Sequence, residues 1–344
     1  MDFRALLLIA TAALLLGGCS RSAEKTDEIY YYGAWMAIHG SDGFLTKRGE
    51  DQMSHVREVG FGWVAYAPEP TMEDVTQPTI TDSSSLEHHR QVIRRLKAKG
   101  LRVLLFPRIE SPTFFRAKDP LWRGDIKMTS PEDWAKFHDN LGTVLEKYAG
   151  LAEEEEVGLF CLGLEYRHST VDFPNAWRKI AKRVRAKYTG KVTYSANWYR
   201  EYEQVKFWDA LDYIGIGAYF PVADQPKASR QSMRAAWLGI QARLRGLSQL
   251  HNRKIIFTEV GYPAFDQAGW KPWEWTTKAN KSIDYKHQAD CYRAFLDAFD
   301  KKDWFQGFFV WRYHTDTRYI EDWEYCPQGH EAESVLNERM CSTK

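Results

Sequence analysis

The chain of 344 residues carries 47 Lys+Arg against 46 Asp+Glu, a formal charge of +1, which provides no field for nucleic acid or for an anionic membrane surface. Less an N-terminal leader, its length suits one large α/β barrel or two smaller domains. Aromatic residues make up 15% of it, with Trp 14, Tyr 18 and Phe 18. Such a store of rings serves a packed core or a cleft in which ring faces stack on the apolar faces of sugars.

Residues 1–18 read as a signal peptide whose apolar run, 5–16, is too short to cross a bilayer as a helix. The run ends in Leu16-Gly17-Gly18-Cys19, which resembles the lipobox of bacterial lipoproteins. That resemblance implies lipidation of Cys19, which becomes the mature N-terminus, and a membrane anchor of several acyl chains where a single chain would hold only weakly. Ser20, rather than Asp, after the cysteine implies the outer membrane of a bacterial envelope, facing periplasm or exterior. An ordinary secretory signal with a chance cysteine is the alternative. The polar residues 19–28 read as a lipidated tether, and 29–344 as the folded domain.

Downstream, 30–38 is the first strand candidate, 50–59 has helical spacing, and 61–68 is an apolar run stopped by Pro68. A Pro-, Thr- and Ser-rich loop (69–84) leads to an amphipathic helix over 86–99, capped by Gly100, and to a strand over 101–110. The pattern repeats. A Ser-Pro start opens a helix over 130–150 that a glycine closes, followed by a strand at 157–165, a helix at 175–187 and a strand at 191–197. A short helix (201–208), a strand (211–221), a long helix (230–250) and the strand 254–262 come next. A helix (286–299), a strand (305–313) and a last helix (331–339) complete the series. Eight apolar runs, most followed by a helix, predict a single-domain (β/α)8 TIM barrel. An open doubly wound sheet would carry a glycine-rich phosphate turn after an early strand, and none is present.

Two of these runs end in glutamate. VGLFCLGLE closes on Glu165, and KIIFTEVGY carries Glu259 near its carboxyl end. A carboxylate at the mouth of a buried strand is costly unless paired or used, and that end of a barrel strand is where catalytic groups sit. Retaining glycoside hydrolysis needs two carboxyls about 5–5.5 Å apart. At about 5 Å and an effective dielectric near 20, two such charges repel by roughly 3 kcal/mol, about two pKa units, which keeps one of them protonated as an acid.

On FCLGLE, FTEVGY, PQGHEAESVL and above all YSANWYREYEQVKFWDALDYIGIGAYFP (194–221), the chain resembles glycoside hydrolase family 113 over most of 30–340. The resemblance implies a (β/α)8 β-mannanase-like enzyme with Glu165 as acid/base and Glu259 as nucleophile. It implies that Tyr219 hydrogen-bonds the nucleophile and that Trp311 forms a platform under the sugar. Asn197, Trp198, Arg108 and Trp270 are further candidates for substrate contact; the loop that holds Trp270 also holds Trp273 and Trp275. Many enzymes of the wider clan have asparagine just before the acid/base; this chain has Leu164. His168 and Asp172, read as loop residues, stand where they could tune Glu165.

No metal or other cofactor is expected: the ten histidines form no HExxH, and His88 and His89 sit on a helix face read as exposed. Cys161 reads as a buried thiol. Cys326 and Cys341 could bridge, with Cys291 as the remaining candidate, and spacing does not decide the pairing. The resemblance to family 113 implies a β-linked, mannose-containing oligo- or polysaccharide as partner. A non-catalytic carbohydrate-binding lipoprotein, and an envelope-glycan hydrolase or transglycosidase of other sugar specificity, are the rival readings.

Overall fold

A computed structural model describes residues 30–40, 42–116, 118–274, 282–299 and 302–341. The leader, the tether, Cys19 and Trp275 lie outside the described residues. In chain order the elements are β1 (Tyr31–Ala37), α1 (Lys47–Val59), β2 (Trp63–Tyr66), α2 (Leu86–Ala98), β3 (Arg102–Leu105) and α3 (Pro131–Glu154). They continue with β4 (Leu159–Leu164), α4 (Arg167–Asp172), α5 (Pro174–Arg185), β5 (Lys191–Asn197), α6 (Glu201–Gln204) and β6 (Tyr213–Gly217). The last are α7 (Arg230–His251), β7 (Lys254–Val260), α8 (Tyr285–Phe299), β8 (Phe305–His314) and α9 (Glu331–Cys341). The eight strands pair in sequence order, all parallel, and β8 closes on β1. This is the single-domain (β/α)8 barrel that the alternating pattern predicts.

Local chemistry accounts for most boundaries. Ser130 caps α3 by accepting from the Asp133 amide, with Pro131 in the first turn; Ser229 caps α7 through Ser232 N–H. Gly60, at φ +110, ends α1 in the left-handed conformation. The helix expected to close at Gly150 instead runs to Glu154, because Leu151 and Ala152 continue its buried face. Arg90 and Arg94 then hold Glu155 at its end. Residues 167–172, expected as loop, form α4; its polar run lacks apolar spacing, and it is held by Thr170 and by Ser169, which bonds His138 and Trp177.

Side chains fill the barrel. Tyr31, Trp63, Leu104, Leu159, Ile256 and Phe309 belong to the interior cluster, as do Trp35, Phe106 and Leu164. Gly33 is where Phe309 fits: a Cβ there would lie 2.3 Å from the Phe309 ring. Higher in the barrel, Trp35 donates its indole N–H to the Thr258 carbonyl at 2.8 Å, and Ser195 meets Thr258 at 2.6 Å. These bonds satisfy polar atoms beneath the mouth.

Two expectations need correction. Cys326 and Cys341 form no disulfide: Cys326 is buried, and Cys341 sits against Asn337 one helical turn earlier. His89 is buried rather than exposed, bonded to Tyr66 at 2.5 Å and Tyr148 at 3.2 Å, and burial pushes its pKa down to about 4. Among the described residues no group of His, Cys, Asp and Glu could hold a metal ion, and no helix is long and apolar enough to cross a membrane.

Candidate active site

The carboxyl ends of the strands form a polar, aromatic-rimmed mouth. The register between β4 and β5 shifts between Cys161 and Leu164. Gly163 makes this possible at φ +153, with the Tyr166 ring 2.4 Å from where its Cβ would stand. Through that bulge Leu164 turns into the interior cluster, so it cannot do for a sugar what an asparagine there would do. Glu165 follows at φ +57, a left-handed conformation that costs a non-glycine residue and is held by its surroundings. Its backbone N–H donates to Ser195 O at 2.9 Å.

Asn197, at the end of β5, donates its Nδ2–H to Oε1 of Glu165 at 2.9 Å. Its own Oδ1 accepts from the Tyr199 amide at 2.7 Å, which sets which way the amide points. With Oε1 occupied as an acceptor, Oε2 is the oxygen left to carry a proton. Burial, then the charge of Glu259, then that of Glu201, push the pKa of Glu165 up to about 8.

Glu259 is 6% exposed, inside β7 and paired in register with Gly217 of β6. Tyr219 donates its hydroxyl to Oε2 at 2.9 Å, while no described residue hydrogen-bonds Oε1. Burial raises this carboxyl, but the Tyr219 bond and the charges of Arg108 and Arg123 pull it back. Gly217 lies between the two acids: a Cβ on it would come within 3.1 Å of Glu165 Oε1. The strand pairing and this one bare glycine bring the carboxylates together.

Arg108 is ion-paired to Glu69 at 2.5 Å and Glu110 at 3.3 Å, and its guanidinium lies between the Trp35 and Trp311 rings, 5.6 and 5.8 Å from their centroids. It therefore reaches Glu259 by charge rather than by a hydrogen bond. Trp311 stands edge-on to Trp35 at 5.2 Å and keeps part of its surface open at the mouth. Gly261 permits this close passage, since a Cβ there would be 2.4 Å from Trp311 O.

Trp198 packs on Trp273 at 4.9 Å, so the loops after β5 and β7 make one aromatic wall. Trp270 is half-buried, with the Lys271 ammonium over its ring at 4.7 Å. His168 and Asp172 lie on α4, where the charges of Arg167, Lys127 and Asp172 face His168.

Two groups escaped the sequence reading. Arg123 bonds Ile109 O at 3.0 Å and also Glu110, and its charge acts on both Glu165 and Glu259. It sits in a loop of mixed composition, and nothing in that stretch marks it. Glu201 is 2% exposed; the signal available was an acid embedded in an aromatic run four residues after Asn197.

A parallel barrel with two neighbouring carboxyls at its mouth, one held by a hydroxyl and the other by a side-chain amide, fits the glycosidase class of (β/α)8 proteins. Residues 32–329 match Glycoside Hydrolase Family 113, so the chain belongs to that family and is a glycoside hydrolase. The solved family 113 β-mannanase from Alicyclobacillus acidocaldarius, in complex with ManMIm, is 27% identical, with a TM-score of 0.79 over 92% of this chain and 99% of that one. A family 113 β-1,4-mannanase complex is 22% identical, with a TM-score of 0.77 over 91% and 99% of the two chains. A β-glucuronidase from Ruminococcus gnavus is 12% identical, with a TM-score of 0.57 over 91% of this chain and 50% of its own. The last two share the fold. No curated protein matches the chain.

Proposed function

We propose that the protein hydrolyses β-linked mannosides with retention of anomeric configuration, Glu259 acting as nucleophile and Glu165 as acid/base. The observation that carries this reading is two buried carboxyls beside one glycine with unlike partners, Glu259 held by the Tyr219 hydroxyl and Glu165 by the Asn197 amide. Glu259 presents Oε1 to the anomeric carbon while Tyr219 holds Oε2. Glu165, raised to about 8, stays protonated at neutral pH and gives its Oε2 proton to the departing oxygen. A covalent glycosyl-enzyme forms; Glu165, now ionised, takes a proton from water, which attacks the same carbon and releases Glu259. Trp311, and the wall of Trp198 and Trp273, would stack on sugar rings. The mannoside preference is supported by the β-mannanase from Alicyclobacillus acidocaldarius.

The test is a panel of aryl β-mannosides, β-glucosides, β-galactosides and β-glucuronides together with β-linked oligosaccharides, with the first-formed anomer read by proton NMR. A β-anomer from a β-mannoside is expected. An α-anomer overturns retention; turnover of another sugar with none on any β-mannoside overturns the substrate class and leaves the mechanism standing. From the sequence we also infer lipidation at Cys19 and attachment to the outer membrane. Intact-mass analysis of Cys19→Ser beside the parent should show loss of the acyl mass and release from membranes.

A further inference from the structure

Glu201 is a carboxylate sealed under the acid/base, and the chemistry above does not use it. It accepts three hydrogen bonds: at Oε1 from Thr170 Oγ1 at 2.7 Å and Tyr194 Oη at 2.8 Å, and at Oε2 from the Asn197 backbone N–H at 2.7 Å. A backbone N–H can only donate, so Oε2 must accept, and the ionised carboxylate fits all three donors at once. Two of the bonds lead to Glu165 by separate routes. Asn197, anchored by Oε2, is the residue whose side-chain amide holds Glu165 Oε1. Tyr194, anchored by Oε1, accepts from the Tyr166 amide at 2.7 Å, the peptide that directly follows the left-handed Glu165.

We propose that Glu201 is a positioning residue that clamps Glu165 from both sides, fixing its side chain through Asn197 and its strained backbone through Tyr194 and the Tyr166 amide. The inference rests on the assignment of Glu165 as acid/base. An unsupported left-handed glutamate would relax toward ordinary backbone angles and carry its carboxyl off the leaving-group oxygen. Burial pushes the pKa of Glu201 itself up to about 7; in its ionised form it adds a negative charge that helps keep Glu165 protonated, and this charge outweighs the opposing pull of the Asn197 bond. The other charges facing Glu165 are Glu259 of β7 and Arg123 of the turn after β3; Arg167 of α4 faces Glu201.

Glu201→Gln keeps the shape and offers one acceptor oxygen where two are needed, so one arm of the clamp must open. In the full chain, kcat/KM on phenyl β-mannoside should fall about 10- to 100-fold, the scale of a misplaced catalytic group. On 2,4-dinitrophenyl β-mannoside, whose leaving group needs no proton, it should stay within about twofold of the parent, since general-acid help is then idle. The alkaline limb of kcat/KM should move to lower pH. Tyr194→Phe, which cuts only the arm to Tyr166, should show the same leaving-group pattern at smaller size and carries the test if Glu201→Gln does not fold. Equal losses on both substrates with an unmoved alkaline limb, or no loss on either, overturn the proposal. Glu165→Gln run alongside separates the two levels. If it is impaired on the phenyl substrate while the Glu201 and Tyr194 variants are not, only the clamp fails. If it retains full activity, the acid/base assignment fails and takes the clamp with it.

Discussion

The ends of β4 and β7 carry the same side chain among different neighbours. Glu259 lies within β7, beside register shifts towards both β6 and β8, and is buried; burial raises its proton affinity while the Tyr219 hydroxyl and two guanidinium charges pull it back. Glu165 stands one residue past its strand, in a left-handed conformation after a bulge, half-buried and facing two carboxylates that push its affinity up. On the proposed mechanism residue type does not distinguish the nucleophile from the acid; the neighbours do.

The largest expected effect is at the β7 end. Glu259→Gln should cost a factor on the order of 10^4 or more in kcat/KM, alike for phenyl and dinitrophenyl β-mannosides, because attack itself is lost. Equal and complete loss at Glu165 would erase the contrast between the two sites. Glu165→Gln should instead lose about 10^2- to 10^4-fold on the phenyl substrate and little on the dinitrophenyl one.

The same variant has a stability signature. The folded-state pKa of Glu165, about 8, lies above its ordinary value of 4.5. The folded protein therefore binds that proton more tightly than the unfolded chain, and the parent loses stability as pH rises from 4.5 towards 8. Glu165→Gln, which cannot ionise, should match the parent in melting temperature near the bottom of that window and exceed it near the top. A constant difference across the window would mean that Glu165 is not held protonated.

Tyr219→Phe comes next. Loss of a hydrogen bond to a charged group, worth roughly 1.5–3 kcal/mol, predicts a fall of about 10- to 100-fold in kcat/KM. That bond lowers the proton affinity of Glu259, so its removal should move the acidic limb of the pH profile to higher pH and leave the alkaline limb in place. A shift of the alkaline limb instead would assign the two acids the other way round. The smallest effect is expected at Gly217→Ala, whose methyl would come within 3.1 Å of Glu165 Oε1. Displacing that carboxyl by part of a rotamer costs on the order of 0.5–1.5 kcal/mol, about 2- to 10-fold in rate on the phenyl substrate. The dinitrophenyl substrate should be spared and the melting temperature little changed.

The sequence by itself determined the barrel and pointed to two strand-end glutamates as the proposed acids. Short apolar runs, period-3.6 patterning, capping serines and glycines are local signals, and KIIFTEVGY and FCLGLE each show a strand running into a glutamate. The resemblance to family 113 singled out Tyr219, and a place at the end of a strand marked Asn197. Only the tertiary structure decided how those groups divide the work. The bulge at Gly163 that buries Leu164, the packing of Trp198 on Trp273, and the arrival of Arg123 beside both acids depend on register and on loops from distant parts of the chain. Glu201 illustrates the same limit. In the sequence it opens a short polar helix; in the fold its oxygens collect donors from α4 and β5, because a buried carboxylate must find partners wherever packing puts them.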